Sequence, residues 1–346
     1  MKAVLKQVLG VNVAKDELVV TLGRMFDDLS LELYAYKVFK NKESEFCALV
    51  QWVEKLTKED LPVHYVMEAT GVYHQKFAFY LFDKGCQLSI VLPNKISNYI
   101  RTLEIKTTTD KTCSEAIAQF GLERKLDLWQ RPHRIYKYLQ QLTRERDQIV
   151  SERAMVKNQL HAETHEAEPN EKSLVRLKER IEFLNKQEKE IKKDITSAIA
   201  RDHNIKSQIS EITTITGIGA LSAIVILAET NGFELIRSKK QLTSYAGLDV
   251  KKKQSGTSIK GKPRISKRGN KSLRKAMHFP ALTAVRHDEN FRSLYARIVA
   301  KHGIKMKAYT AVQRKLLEMV YVIFKSKAPY DKEYELKKNR VQKQIA

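Results

Sequence analysis

The first hundred residues alternate between strand-like and helix-like spacing of their apolar positions. Three β-strands are predicted first, of which the third alternates apolar and polar residues, and two short apolar strands separated by helical segments follow. The predicted strands are residues 5–14, 17–25, 31–39, 63–69 and 86–92, and the predicted helices are residues 43–57 and 73–84. Because strands come first and then alternate with helices, and no glycine-rich phosphate turn is present, we expect an α/β fold of the ribonuclease H type rather than a Rossmann fold.

Residues 131–200 change to heptad-like spacing of apolar residues within densely charged sequence. A polar turn containing Pro169 interrupts this pattern, which predicts a long antiparallel helical hairpin or coiled coil. We expect such an arm to serve dimerisation, and a surface that also grips nucleic acid is compatible with that role. The apolar positions are Ile135, Leu139, Leu142, Ile149, Val156 and Leu160, then Leu174, Leu177, Ile181, Leu184, Ile191 and Ile195.

Beyond residue 205 the chain becomes compact again, and Gly217 and Gly219 separate two apolar helical stretches within residues 212–229. A turn of this kind can point backbone N–H groups at a phosphate, which makes both glycines candidates for nucleic-acid binding. The same pattern is equally typical of a tight turn between packed helices. The sequence leaves this choice open.

The charge balance indicates nucleic acid as the expected partner. Lys and Arg outnumber Asp and Glu by 63 to 40, which gives a net charge of +23 and a pI near 9.7. Such an excess attracts polyanions and drives binding through the release of counterions. Ribosome-associated and membrane-surface proteins are also basic, but no apolar run here approaches the ~20 residues that span a bilayer, so we expect no membrane association.

Cysteine usage and the N-terminal residues indicate the compartment. Cys47, Cys86 and Cys113 are odd in number and widely spaced, which disfavours a disulfide framework and a cysteine-rich zinc site. The N-terminus lacks the apolar core of a signal peptide. We therefore expect a protein of the reducing cytoplasm.

Residues 251–275 form the most basic part of the chain, with eleven Lys or Arg and no acidic residue between Asp249 and Asp288. Three glycines in this segment allow close backbone approach, so we expect it to grip phosphates. Ser255 lies within it, and a serine hydroxyl attacks phosphorus when it is activated and cations stabilise the transition state. Residue chemistry alone favours an ordinary turn serine. The candidate phosphate contacts are Lys251, Lys252, Lys253, Lys260, Lys262, Arg264, Lys267, Arg268, Lys271 and Arg274.

Two acidic residues are candidates for a metal site in the N-terminal third. Glu68 ends a predicted buried strand, and Asp110 lies just before or within the first turn of a predicted helix. Carboxylates placed at strand ends and on a neighbouring helix can converge on Mg²⁺, a hard cation that prefers oxygen ligands. Each residue alone also fits an ordinary interpretation, since Glu68 could be a surface charge and Asp110 a helix N-cap.

Motifs along nearly the whole chain, from about residue 8 to 326, resemble one family. It is the DEDD-type insertion-sequence transposases related to the Piv invertase, described as bridge-RNA-guided recombinases. The resemblance is carried in the N-terminal third by LGVNVAKDEL, VMEATGVYHQKFAFYL and KTTTDKTCSEAIAQFG, and near the C-terminus by ITGIGALSAIVILAE, SYAGLDV, QSG and ISKRGNKSLRKAM.

The resemblance implies an architecture, a chemistry and a set of partners. A RuvC-like ribonuclease H domain over 1–128 would precede a coiled-coil arm over 129–204, a mainly α-helical transposase domain over 205–330 and a basic tail over 331–346. Ser255 would act as nucleophile beside a Mg²⁺-binding cluster to which Glu68 and Asp110 contribute. The partners would be donor and target DNA, a structured guide RNA and further copies of the chain, in prokaryotic cytoplasm.

Two positions depart from the family pattern of four acidic residues. Asn12 stands where the first aspartate is expected and Cys113 where the fourth is expected. Asn12 can still offer its carbonyl oxygen as a metal ligand, but it carries no charge. A thiol is a poor, soft ligand for Mg²⁺, so metal binding should be weakened and strand cleavage impaired. Glu115 is a possible but poorly aligned substitute.

Two alternatives to an active recombinase therefore remain. The chain could be an impaired form that binds RNA and DNA without catalysis. It could also be a RuvC-like junction nuclease, which would use metal-activated water and would not need Ser255.

Overall fold

The computed structural model describes residues 2–57, 60–69, 71–103, 105, 107–234, 236–251, 254–255, 259–261, 263–331 and 333. Its contacts group the chain into two compact units, Met1–Arg131 and Pro132–Ala346. The two units, called unit 1 and unit 2 below, differ in architecture. The domain boundaries expected from the sequence stay a prediction.

Within the described residues, unit 1 contains a five-stranded sheet with the order β3-β2-β1-β4-β5. Strand β1 is antiparallel to β2 and parallel to β4, β2 is antiparallel to β3, and β4 is parallel to β5. This mixed sheet confirms the α/β ribonuclease H-like expectation. The strands are β1 (Val4–Val13), β2 (Glu17–Phe26), β3 (Leu31–Lys40), β4 (Val63–Glu68) and β5 (Gln87–Val91), and the helices are α1 (Glu43–Leu56), α2 (Gln75–Asp83), α3 (Pro93–Ile100) and α4 (Asp110–Glu123).

Helices cover both faces of the sheet. Successive side chains of a strand point to opposite faces, so neighbouring residues of β1 pack against different helices. Leu9 of β1 belongs to the apolar cluster that contains Phe46 of α1 and Phe77 of α2. Its neighbour Val8 belongs to a second cluster, together with Ile117 of α4. Burial on both faces explains why β1 and β2 are apolar along most of their length.

Unit 2 is mainly helical, and its buried apolar residues form one cluster that joins the long N-terminal helices to the C-terminal ones. Its helices are α5 (Arg134–Thr164), α6 (Glu171–Ala200), α7 (His203–Thr213), α8 (Ala220–Thr230), α9 (Lys239–Tyr245), α10 (Lys271–Ala276), α11 (His278–His287), α12 (Glu289–His302) and α13 (Lys305–Ser326), and its short strands are β6 (Val250–Lys251), β7 (Gln254–Ser255), β8 (Ile259–Lys260) and β9 (Arg264–Ile265).

Helices α5 and α6 form the predicted antiparallel hairpin. The ion pairs Glu152–Arg180 and Arg146–Glu188 show that the helices are antiparallel, because the residue number on α6 rises as the residue number on α5 falls. Helix α6 is capped by Asn170, whose side chain accepts a hydrogen bond from the backbone N–H of Ser173. The hairpin is confirmed, and supercoiling of its two helices stays a prediction.

None of the helices within the described part of the chain has the length and apolar character needed to cross a membrane.

Candidate catalytic and nucleic-acid-binding sites

Glycine at position 10 allows α4 to lie directly against β1. A Cβ atom at Gly10 would lie 2.3 Å from the backbone nitrogen of Ala118 and 2.4 Å from the carbonyl oxygen of Ser114. In the same buried contact, the hydroxyl oxygens of Ser114 and Thr21 are 2.7 Å apart. Residues two apart on a strand share a face, so Asn12 faces the same side as Gly10, toward the start of α4.

The start of α4 is set by Thr109. Its hydroxyl accepts a hydrogen bond from the backbone N–H of Thr112 at 3.2 Å, and the hydroxyl of Thr112 accepts one from the backbone N–H of Thr109 at 2.8 Å. This reciprocal cap makes Asp110 the first residue of the helix, where the helix dipole stabilises a carboxylate. The suggestion that Asp110 is itself the N-cap is therefore wrong.

Strand register brings Glu68 to the same edge of the sheet. Strands β1 and β4 are parallel and pair Val11 with Met67, so the next residues, Asn12 and Glu68, lie side by side. The side-chain amide of Asn12 donates a hydrogen bond to Oδ1 of Asp110 at 3.0 Å. Three of the four predicted positions of the acidic cluster thus meet where β1, β4 and α4 converge.

Cys113, the fourth position, lies on α4 one turn beyond Asp110. The pKa of its thiol is raised, mainly by burial and further by the negative charges of Glu68 and Asp110. The two carboxylates are therefore close enough to act on the sulfur, which stays protonated at neutral pH.

The donor set of this acidic cluster does not fit a resident Mg²⁺ ion. The motif resemblance implies a Mg²⁺-binding cluster at this position. Here, however, the amide N–H of Asn12 faces Asp110 and the thiol of Cys113 is neutral, so only Glu68 and Asp110 are anionic ligands. In the part of the chain that the structure describes, no three or more His, Cys, Asp or Glu side chains form a group that could hold a metal.

Glu115 does not replace the missing acid. It lies five residues after Asp110 on α4, which is about 140° around the helix axis at 3.6 residues per turn. Its carboxylate lies 3.9 Å from the ammonium group of Lys111 instead.

Ser255 lies in β7, whose backbone pairs with β8 so that Ser255 is opposite Ile259. This hairpin is enclosed by a second ladder, in which β6 and β9 pair Val250 with Ile265 and Lys251 with Arg264. We call residues 251–264 the serine loop. Lys252, Lys253 and Lys262 lie outside the described residues, and so do the side chains of Ser255 and Lys260.

The two ends of the serine loop are joined by backbone hydrogen bonds. The N–H of Ser266 donates to the carbonyl of Asp249 at 2.8 Å, and the N–H of Lys267 donates to the carbonyl of Gly247 at 3.0 Å. Residues 245–250 and 265–270, which these bonds and the Val250–Ile265 pair of the β6–β9 ladder hold together, are called the loop base below.

Most of the described cations in this region are exposed. Lys251, Arg264, Lys267, Arg268 and Lys271 all reach solvent, as a phosphate-binding surface requires. The Arg274 guanidinium differs, because it donates to the carbonyls of Ala246 at 2.8 Å and Gly269 at 3.2 Å. Arg274 therefore holds the loop base, and its contact with nucleic acid stays a prediction.

The turn between α7 and α8 gives Gly217 a packing role. Its φ of +94° favours glycine, and a Cβ atom there would lie 2.6 Å from the carbonyl oxygen of Pro280 and 2.9 Å from the nitrogen of Ala284. Gly219 is the exposed N-cap of α8, with nothing within 4 Å of an added Cβ. A phosphate contact at this turn stays a prediction for both glycines.

Two family models match the chain and together cover both units. The model described as "Transposase IS116/IS110/IS902 family" matches residues 209–296, and a DEDD transposase model of the IS110 type matches residues 9–167. The chain belongs to the IS110-type transposases. It is by family a DNA-acting transposase or recombinase, and the predicted resemblance is confirmed.

Curated relatives match this transposase over almost its full length. The pilin gene-inverting protein of Moraxella bovis is 26% identical over 332 residues, covering 94% of this chain and 98% of the relative. That of Moraxella lacunata is 27% identical over 335 residues, again covering 94% and 98%. An uncharacterized 43.6 kDa protein of insertion element IS110 in Streptomyces coelicolor is 28% identical over 120 residues, or 35% of this chain and 29% of that protein.

Among solved structures, RuvC of Thermus thermophilus in complex with a Holliday junction substrate covers 36% of this transposase and 99% of its own chain, at 9% identity and a TM-score of 0.28. A second RuvC structure from the same organism is 12% identical, with the same coverage and a TM-score of 0.27. The strand order of unit 1 itself shows its fold.

The structure also shows a buried carboxylate that sequence reasoning missed. Glu229 lies in the last turn of α8 with its side chain fully buried, and it is bound by Arg144 of α5 and Asn270 of the loop base. The signal was present, because Glu229 is the one charged residue in the stretch 212–229. A lone acid after an apolar helix needs a partner, which here lies 85 residues away in Arg144.

Proposed function

We propose that this transposase breaks and rejoins DNA during the movement of an insertion sequence, with Ser255 as nucleophile. The observation that carries the proposal is the setting of Ser255, in a hairpin within the segment that the transposase model matches and among exposed cations. Cations at this position suit a phosphodiester that gains negative charge in the transition state.

A serine nucleophile fits recombination better than simple cutting. Oγ of Ser255 would attack phosphorus, lose its proton to a base, and form a phosphoserine ester while the P–O bond to one deoxyribose breaks. The released sugar oxygen takes up a proton. A hydroxyl of the new strand then attacks the ester and regenerates the serine, so the phosphodiester energy is kept for rejoining.

Binding of both DNA partners would rest on charge. Each phosphate neutralised by Lys or Arg releases counterions, so the affinity should fall steeply with salt. We further propose that a structured guide RNA occupies part of the same basic surface. Discrete, structured RNA in the purified protein would support this; a purified protein whose DNA pairing is unchanged by complete RNase digestion would contradict it.

We propose that the chain acts as a homo-oligomer through the hairpin of α5 and α6. Large apolar side chains are exposed there, with Met155 and Phe183 both 59% exposed and Val175 51% exposed. Light scattering would give a dimer or larger species, and Phe183→Lys would lower the mass. A monomer at micromolar concentration would contradict this part of the proposal.

The acidic cluster supports a second candidate, a form of the protein that binds nucleic acid but cuts slowly. Asn12 donates to Asp110 where a carboxylate would repel it, and Cys113 is a neutral thiol. Two of four expected charges are missing, so we expect Mg²⁺ to be held weakly and strand breakage to be slow in the chain as written.

The test restores the charges. The double variant Asn12→Asp with Cys113→Asp is incubated with guide RNA, both DNA partners and Mg²⁺, and the DNA-linked protein is quantified. We expect an adduct on Ser255 that forms about 100-fold faster than in the unmodified chain, the scale on which one lost charge-stabilising group acts.

Three outcomes separate the candidates. An unmodified chain that recombines as fast as the double variant would exclude the binding-only form. A double variant without any Ser255-linked DNA would contradict the serine mechanism. Strand cleavage that persists after Ser255→Ala would instead favour a junction nuclease that uses activated water.

A further inference from the structure

Glu229 lies at the meeting point of three parts of unit 2. Its carboxylate accepts two hydrogen bonds from the guanidinium of Arg144, at 2.7 and 2.8 Å, and one from the side-chain amide of Gln140 at 3.2 Å. The side-chain amide of Asn270 donates a fourth at 2.6 Å. The first two residues belong to α5, whereas Asn270 ends the loop base, so one carboxylate links the long hairpin to the serine loop.

The side-chain nitrogen, the side-chain oxygen and the backbone N–H of Asn270 each make a hydrogen bond at this junction. Its amide nitrogen binds Glu229, its side-chain oxygen caps α10 by accepting from the N–H of Leu273 at 2.9 Å, and its backbone N–H donates to the carbonyl of Tyr245 at 2.8 Å. With both ends of its side-chain amide bonded and its backbone N–H bonded as well, Asn270 has little freedom to rotate. Asn270 therefore couples the two positions, so that a shift of Glu229 would also shift the backbone at the end of the loop base.

The other end of the loop base reaches the same residue. The hydroxyl of Tyr245 donates to the backbone carbonyl of Glu229 at 2.9 Å. Tyr245 precedes the serine loop and Asn270 follows it, so both ends are tied to Glu229 by different atoms. This buried carboxylate would be costly without its partners, and those partners join α5, through Arg144 and Gln140, to Asn270 of the loop base.

We propose that Glu229 is a positioning residue for the serine loop: through Asn270 and Tyr245 it fixes the loop base on α5, and so sets where Ser255 is presented. The inference rests on the proposed function only in assigning the nucleophile to Ser255. The link between Glu229 and the loop base can be tested without any chemistry at that serine.

The sharpest variant is Asn270→Asp. Aspartate keeps the side-chain oxygen that caps α10, but it replaces the donor that binds Glu229 with a second carboxylate. Glu229→Gln keeps the size of the residue and removes the charge that holds Arg144.

Glu188→Gln is the matched control. Glu188 is also buried and bound by cations, namely Arg146, Arg153 and Lys192, but all of its partners lie within the hairpin. It therefore reports the cost of losing a buried charge without a change at the loop base.

The first measurement is limited trypsin digestion of the full chain, with cleavage sites mapped by mass spectrometry at conditions where each variant is folded. We expect cleavage within residues 251–268 to be about tenfold faster in Asn270→Asp and Glu229→Gln than in the unmodified chain, and unchanged in Glu188→Gln. Equal loop cleavage in Asn270→Asp, Glu188→Gln and the unmodified chain would overturn the proposal.

The second measurement adds the same changes to the variant with restored carboxylates. Asn270→Asp should slow formation of the Ser255 adduct about 10- to 100-fold, as a misplacement of about 1 Å does, with DNA affinity within twofold. An unchanged adduct rate would overturn the proposal. If the restored chain forms no adduct at all, the serine mechanism fails, and the digestion result alone decides whether Glu229 positions the loop.

Discussion

The two units of this transposase bury polar side chains in opposite ways. In unit 1 the buried His64 is uncharged, since burial, and then the charge of Lys6, lowers its pKa to about 4. Ser89 donates to the carbonyl of Asp127 at 2.7 Å, so the 2.8 Å contact between Ser89 and His64 has the imidazole as donor. Unit 2 instead buries the side chains of Glu188 and Glu229, each bound by arginine.

The difference separates charges that hold the fold from charges that can act on a ligand. In unit 2 the buried carboxylates are enclosed by donors and join helices that are distant in sequence. In unit 1, Asp110 is exposed at the edge of the sheet, where charge would be used in catalysis rather than in packing. The four predictions below test this contrast, from the largest expected effect to the smallest.

Removing Glu188 should be the most damaging change. Glu188→Ala leaves three cations of the hairpin without their shared partner, and loss of one member of a buried ion pair typically costs about 3–5 kcal/mol. Urea unfolding followed by far-UV circular dichroism measures this loss. Glu182→Ala, an exposed position on the same helix, should change the free energy of unfolding by less than about 0.5 kcal/mol. Equal effects at the two positions would contradict the role given to Glu188.

The two units should respond to acid in different pH ranges. The pKa of His64 falls from 6.5 to about 4 on folding, so its contribution is present above pH 6.5 and lost as the pH falls toward 4. For Glu188 burial acts to raise the pKa, but hydrogen bonds from Lys192 and Arg153 and the nearby arginine charges outweigh it and lower the pKa from 4.5 to about 2. Its contribution is lost between pH 4.5 and 2. Each shift corresponds to about 3 kcal/mol.

Both tryptophans, Trp52 and Trp129, lie in unit 1, so their fluorescence reports that unit alone. We expect the fluorescence to change between pH 6.5 and 4, before most of the helical circular dichroism signal of unit 2 is lost. Coincident transitions below pH 4 would show that the neutral histidine does not set the acid stability of unit 1.

Gly10→Ala should strain the contact that places Asp110 beside Asn12. The added methyl group would meet the backbone of α4 at 2.3 Å, and overpacking of this kind costs about 1–3 kcal/mol. Thermal unfolding followed by far-UV circular dichroism, which reports both units, measures the loss. Gly219→Ala, with open space around the added methyl, serves as the control. A fully stable Gly10→Ala would show that α4 can move away from β1.

Lys6→Met should have the smallest effect. The Lys6 ammonium donates to the carbonyls of Gly121 and Arg124 at the end of α4, the second at 3.0 Å, and a cation that caps a helix end contributes about 1 kcal/mol. Lys2→Met removes an exposed ion pair with Asp28 and should change little. The same unfolding assay compares the two. If Lys2→Met lowered the free energy of unfolding more than Lys6→Met, the stabilising role given to Lys6 would be wrong.

Local patterns predicted the sheet well. Apolar runs, together with period-two alternation in the third strand, located all five strands within one residue of their observed ends, because both patterns reflect burial on a pleated surface directly. The same locality placed Asp110 at the start of α4. It did not show that Thr109 is the cap, since the capping box depends on the side-chain geometry of two threonines three residues apart, Thr109 and Thr112.

Contacts distant in sequence were beyond these patterns. The partner of Glu229 is found 85 residues away, on a helix whose heptad pattern describes only its apolar side. Gly10 was hidden for a related reason: a glycine in a strand signals close approach of some backbone, but only the fold shows that the backbone is α4. The site residues that motif resemblance suggested still await the experiments above.

The ladder between β6 and β9 has a consequence for how this protein can vary. Twelve residues connect Lys251 to Arg264, whose backbones are already paired. Lengthening a connection whose ends are fixed costs only about 0.6 kcal/mol per doubling of its length. The fold should therefore tolerate insertions and deletions between these two residues. The length of the serine loop can then differ between transposases while the loop base keeps its structure.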